Sequence, residues 1–94
     1  MAATLSPLEQ IRAAEARAVG ASQTVKAVRR GRALLVLVAE DADRKVVDLV
    51  IRAAQERGVP LAEVGSMREL GRACGIAVGA AAAAVLGPST PATG

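Results

Sequence analysis

The chain has 94 residues, 52% of them apolar, and 12 Lys and Arg against 9 Asp and Glu give a formal charge of +3. That length suits one domain with a modest core, and the absence of Phe, Tyr and Trp excludes recognition of a base by aromatic stacking. With no histidine and a single cysteine, Cys74, the usual zinc and transition-metal ligands, an internal disulfide and His-assisted nucleophilic catalysis are excluded, so neither a catalytic residue nor a cofactor is expected.

The N-terminal run MAATLSPLEQIRAAEARA is interrupted by acids, is not read as a secretory leader, and points to a cytoplasmic location. Ser6-Pro7-Leu8-Glu9 puts serine at an N-cap, proline at the first helical position and glutamate three residues after the cap. This predicts a capping box and a helix from Pro7 to about Ala16, with Leu8, Ile11 and Ala14 or Glu15 as its weak apolar spacing. Arg17 to Val19 reads as a short extended piece. In GASQTVKAVRRG, Gly20 to Gly31, the pattern predicts a second helix from Gln23 to Arg30. Ser22 would be its N-cap, Gly31 its left-handed stop, and Val25 and Val28 its inward residues.

ALLVLVA, Ala33 to Ala39, is a continuous aliphatic run without alternation, as expected of a strand buried on both faces. Glu40-Asp41-Ala42-Asp43 closes it and opens a third helix, in which Val46, Leu49, Val50, Ala53 and Ala54 recur at helical spacing up to Arg57. Gly58-Val59-Pro60 ends that helix, and Leu61 to Val64 is a short strand. Ser66-Met67-Arg68-Glu69 is a second capping-box pattern, starting a fourth helix that stops at Gly75. In GAAAAAVL, Gly79 to Leu86, alanine favours helix but the place after a loop favours a closing strand, and it is read as a strand. The Pro-, Ser- and Thr-containing tail, 88–94, is expected to be disordered. Alternating helices and strands indicate an α/β chain. The expected fold is a three-layer α/β/α sandwich with a small central mixed sheet of about four strands, in a single domain, 1–87.

Several candidate sites dissolve on inspection. A calcium loop counted from Asp41 would need glycine and glutamate where Val46 and Arg52 stand, so Glu40, Asp41 and Asp43 are read as acidic capping of the third helix. Gly71, Gly75 and Gly79 repeat the spacing of a membrane dimer motif, but the apolar run around them is too short to span a bilayer, and no membrane partner is expected. No dinucleotide fingerprint or P-loop occurs. Cys74 lacks a base to activate it and reads as core.

The basic residues Lys26, Arg29, Arg30 and Arg32 would by themselves be a solvated face. The first turn of the second helix argues for more. Three residues after Ser22 stands Val25, so no glutamate returns to cap the chain. Gln23 is left free to donate and accept, Lys26 follows on the same face, and open backbone N–H groups at a helix start favour phosphate.

GASQTVKAVRRG, LLVLVAEDAD and SMRELGRACGIAVGAAAAAVL, in that order and together spanning most of Leu8 to Leu86, resemble the kink-turn-binding ribosomal protein family. That family includes archaeal L-seven-Ae, eukaryotic L-thirty-e and a small bacterial branch, to which the first and third motifs are most similar. The resemblance implies a three-layer sandwich that binds a sharply bent RNA internal loop, in ribosomal or riboswitch RNA, as a monomer. In the family pattern Gly20 allows close backbone approach, and Ala21 is the variable residue after it. Ser22, Gln23 and Lys26 match the polar positions, Gln23 and Lys26 being implied to reach guanine edges of tandem sheared G·A pairs. Arg30 matches a basic position that touches the RNA backbone. Asp43 falls where an acid lies near the flipped-out nucleotide, Val47 is implied to line its pocket, and Ile76, Ala77 and Val78 form the apolar loop over it. Ser22 is shorter than the usual asparagine or lysine, and Val78 replaces a frequent arginine, which together imply weaker binding. Arg44 replaces a common proline and is expected to restore a charge near the RNA.

The competing reading is a protein-interaction module that uses the Gly- and Ala-rich face from Gly71 to Ala84. An enzyme ranks below both, for want of histidine or any acid–base pair.

Overall fold

Residues 5–87 are described by a computed structural model; the expected disorder of 88–94 lies outside them. The chain runs α1 (Pro7–Ala13), β1 (Arg17–Val19), α2 (Ala21–Arg29), β2 (Ala33–Ala39), α3 (Arg44–Arg57), β3 (Leu61–Val64), α4 (Met67–Ala73) and β4 (Ala82–Leu86).

Local chemistry accounts for most boundaries. At α1 both halves of the capping box form: the Glu9 N–H donates to Ser6 Oγ at 3.2 Å and the Ser6 N–H to the Glu9 carboxylate at 2.9 Å. These bonds hold the Glu9 carboxyl below its ordinary pKa. The helix stops at Ala13 rather than near Ala16, because Arg17 must already be extended to pair with Val85. The Arg17 guanidinium turns back to donate to the carbonyls of Ile11 and Arg12 at 2.8 and 3.2 Å, satisfying last-turn acceptors that would otherwise lack a partner. At α4 the expected box forms on one side, with Ser66 Oγ accepting from the Glu69 N–H at 3.1 Å. Gly58, at φ 66°, closes α3 in the left-handed conformation.

The four strands form one mixed sheet in the order β1-β4-β2-β3, with β2–β3 parallel and the other pairs antiparallel. Side chains of β2 alternate between two cores. Val36 and Val38, with Ala82 and Ala84 of β4, face α2 and α3. Leu37 and Ala39, with Ala83, face α1 and α4, where Ile11 and Leu70 are fully buried. The three-layer α/β/α sandwich is thus as expected, although Leu34 at the open end of β2 is exposed. The alanines of β4 are forced out of their helical preference by pairing on both sides, and their small side chains let helices pack closely over the sheet. The strand begins at Ala82, not Gly79, so the preceding residues are a loop.

One expectation for α3 is corrected. Its sheet-facing stripe is Val47, Val50, Ala53 and Ala54, while Val46 is half-buried and Leu49 is 63% exposed. Two neighbouring apolar stripes exist on this helix, and packing on β2 selects the one containing Val47. The other flanks the cleft between α2 and α3.

The topology gathers the loops. Val19 pairs with Ala83, Val38 with Ala82, and Ala39 with Val64. The Gly20 N–H donates to the Ala82 carbonyl at 2.8 Å, the Ala39 N–H to Ala81 and the Glu40 N–H to Val64, both at 2.9 Å. Hence β1, β2 and β3 end, and β4 begins, at one edge of the sandwich. The N-termini of α2, α3 and α4 all open there.

Candidate nucleic-acid interface

The α2 entrance differs from the sequence expectation. Gly20, not Ser22, is its N-cap, and the helix begins at Ala21. Gly20 adopts φ 96°, ψ 153°, a region essentially closed to side-chain-bearing residues, so the chain can turn from β1 into helix without a serine. The buried Thr24 completes the turn. Both its N–H, at 2.9 Å, and its Oγ1, at 2.8 Å, donate to the Gly20 carbonyl. Sequence reasoning passed over Thr24; its place four residues after the glycine was the available signal. Ser22 is left exposed on the first turn.

Among the described residues no side chain caps α2, whereas Ser6, Asp43 and Ser66 cap the other three helices. The first-turn N–H groups of α2 therefore remain open to a ligand, at the positive end of the helix dipole. A Cβ at Gly20 would meet nothing within 4 Å, so Gly20→Ala should cost only backbone strain, about 2 kcal/mol. Urea unfolding should read that loss, and an unchanged midpoint would contradict it.

Gln23, Lys26 and Arg30 lie along one exposed face of α2 and, with Arg32, line a groove beside edge strand β1. Arg30 is the C-cap rather than the last helical residue, about 15 Å along the axis from the Gly20 entrance at 1.5 Å per residue. Among the described residues the one ion pair is Arg44–Asp48 at 3.4 Å, so the cations of α2 are unpaired, and Arg44 is engaged on its own helix.

Asp43 is exposed, and its Oδ1 accepts from the Lys45 N–H at 2.8 Å as the cap of α3. Val47 is 3% exposed and packed in the core beneath α3. Ile76, Ala77 and Val78 are exposed on the α4–β4 loop, Val78 at 70%. With Asp41, Arg68 and Arg72 the loop borders a hollow of about 470 Å³. Asp41 was missed as part of this site, because its partner, the Met67 N–H at 2.8 Å, is remote in sequence.

The glycine spacing explains the loop's shape. The Ile76 N–H donates to the Gly71 carbonyl and the Ala80 N–H to Met67, both at 3.0 Å. A Cβ on Gly71 would fall 2.1 Å from the Val78 carbonyl oxygen, and one on Gly79 would fall 3.0 Å from Met67 Cβ. These glycines admit a backbone rather than a second membrane helix, and no helix among the described residues is long and apolar enough to cross a membrane. The rival docking face is corrected for the same reason. Gly71, Ala73, Cys74, Ala80 and Ala82 to Ala84 are buried, leaving Arg72 and 75–79 as the exposed part of that stretch. Cys74 is buried, which pushes its thiol pKa up against the weaker pull of Arg17 and leaves it a protonated core residue at neutral pH. Among the described residues no cluster of three or more Cys, Asp or Glu is arranged to hold a metal ion.

The fold thus brings Gly20, Ala21, Ser22, Gln23, Asp43 and the loop from Ile76 to Val78 to one end of the sandwich. Lys26 lies one turn inward, Arg30 stands farther along the same helix, and Val47 lies below the surface.

The model of the ribosomal protein L7Ae/L30e/S12e/Gadd45 family matches residues 3–92. RNA-binding protein YbxF of Geobacillus stearothermophilus is 50% identical over 68 residues, covering 72% of this chain and 83% of that protein. Large ribosomal subunit protein eL8 of Haloquadratum walsbyi is 46% identical over 68 residues, covering 71% of this chain and 57% of its own length. Among solved structures, the Giardia lamblia 15.5kD RNA binding protein superposes with a TM-score of 0.75 at 32% identity, over 87% of this chain and 72% of that one.

Proposed function

The chain belongs to the ribosomal protein L7Ae/L30e/S12e/Gadd45 family, and on that premise we propose that it is a non-enzymatic RNA-binding protein that recognises kink-turn RNA. The observation that carries this reading is the glycine-entered start of α2, free of any side-chain cap, beside an exposed apolar loop at the same end of the sheet.

A sharply bent internal loop offers unpaired base edges, closely spaced phosphates and an extruded base. RNA recognition draws on all three. The open N–H groups of α2 suit phosphate oxygens or base acceptors. The Gln23 amide donates and accepts at once, as a guanine edge requires, and the Lys26 ammonium adds a charge-assisted bond to guanine acceptors. Gly20 keeps the approach free of a side chain. Ile76 and Val78 supply aliphatic cover for a base in a protein that has no aromatic platform. Arg30, farther along α2, meets the adjoining backbone. The net charge of +3 adds a modest long-range attraction. The protein acts on this reading as a bacterial, cytoplasmic monomer on ribosomal or riboswitch RNA.

A gel shift decides it. A kink-turn hairpin should bind at least roughly a hundredfold more tightly than a hairpin of equal length with Watson–Crick pairs in place of the G·A pairs, since each lost base contact removes about 1–3 kcal/mol. Equal affinity for the two RNAs would refute kink-turn specificity.

A further inference from the structure

Resting on the kink-turn reading, we propose that Asp41 is a positioning residue of the RNA site, whose carboxylate ties the β2–α3 loop to the start of α4 and so sets the apolar loop against an extruded base. Its Oδ1 accepts from the Met67 N–H at 2.8 Å, across 26 residues of sequence. The two acids at this edge divide the work: Asp43 caps its own helix, and Asp41 caps the next one.

Met67 is where the two loops meet. Its N–H is taken by Asp41, its carbonyl accepts from the Ala80 N–H at 3.0 Å, and its Cβ lies against Gly79. One turn along α4, the Gly71 carbonyl receives the Ile76 N–H, and Gly71 itself makes room for the Val78 carbonyl. The Asp41 end is anchored in turn, since the Glu40 N–H donates to Val64 and the Ala42 N–H to Ala39. A shift of Asp41 relative to Met67 is therefore a shift of Ile76 and Val78 relative to the acidic loop. Asp41 also borders the same hollow as those two residues, so the tether lies at the place where the base would rest. Ser66 already serves the Glu69 N–H, which leaves Asp41 as the side chain that holds the Met67 donor.

The test uses the full chain and two RNAs, a kink-turn hairpin and the same hairpin made abasic at its extruded nucleotide. Asp41→Ala should bind the intact hairpin about tenfold more weakly, as expected for one hydrogen bond to a charged group, and bind the abasic hairpin as the parent does. Asp41→Asn retains an acceptor and should match the parent on both. Asp41→Glu keeps the charge but moves the carboxylate by one methylene, and should repeat the alanine result. Equal losses on the two RNAs, or no loss on either, would overturn the role. Amide hydrogen exchange reads the tether without RNA: in Asp41→Ala and Asp41→Glu the Met67 and Ala80 amides should exchange at least about tenfold faster, with Val36 and Val50 unchanged. Unchanged exchange at Met67 and Ala80 would overturn it equally. A parent protein that does not distinguish the kinked hairpin from a plain duplex would instead overturn the functional reading, and the exchange result would still decide whether Asp41 holds the loop.

Discussion

Lys26→Ala should weaken binding to a kink-turn hairpin by about tenfold to a hundredfold, the worth of one hydrogen bond from a charged group, and leave the protein folded. The side chain is exposed and forms no ion pair among the described residues. Alanine is as good a helix former as lysine, so stability should change by no more than about 0.5 kcal/mol. Gln23→Ala should lower affinity too, by about tenfold for a neutral base-edge contact. Salt separates the two variants. Removing one cation that meets the nucleic acid lowers the slope of log K against log salt by about one, so Lys26→Ala should flatten the slope and Gln23→Ala should not. Parent-like affinity of both variants would remove α2 from the RNA site. A flattened slope without loss of preference for the kinked RNA would make Lys26 a phosphate contact rather than a base contact.

Gly71→Ala should destabilise the protein by about 3 kcal/mol and lower its thermal midpoint by roughly 12 °C or more, taking about 4 °C per kcal/mol for a domain of this size. Two effects of opposite sign compete. In an open helix the exchange would gain about 1 kcal/mol from helix propensity. Here the new Cβ would lie 2.1 Å from the Val78 carbonyl oxygen and 3.1 Å from Gly79 Cα. Those are backbone atoms, which cannot swing aside as a side-chain tip can, so either α4 or the 75–81 loop must move. The expected companion is weaker kink-turn binding, because the displaced residues include Ile76 and Val78. Urea unfolding and the hairpin gel shift measure both. A stabilised variant would mean that propensity wins and that the loop does not rest on α4 as described.

The candidate site was legible in sequence in uneven measure. The polar first turn of α2 could be read because a missing capping glutamate after Ser22 is visible in the letters themselves. Its true start could not. Serine is a good cap by composition, yet Gly20 holds the turn because β1 must first pair with β4, and that pairing presents the Gly20 N–H to Ala82. Likewise Asp43 could be read as a helix cap from its neighbours, whereas Asp41 serves a helix that begins 26 residues later. Val46 and Leu49 were read into the inward stripe, and Val47 was left out of it, because α3 carries two apolar stripes and periodicity alone does not choose between them.

By itself the sequence determined the order of elements, the bounds of β1, β2 and β3, the serine caps of α1 and α4, and the exclusion of aromatic stacking and histidine chemistry. Each follows from residue identity or from neighbours within a turn or two, where capping, glycine conformation and hydrophobic spacing act. Only the tertiary structure decided the strand order, which alanines are interior, and which side chains meet at the site. Those depend on pairings between distant segments, above all β4 inserted between β1 and β2. Hydrogen bonds such as Asp41 to Met67 exist only after that insertion has brought the loop ends together, and no local spacing encodes them.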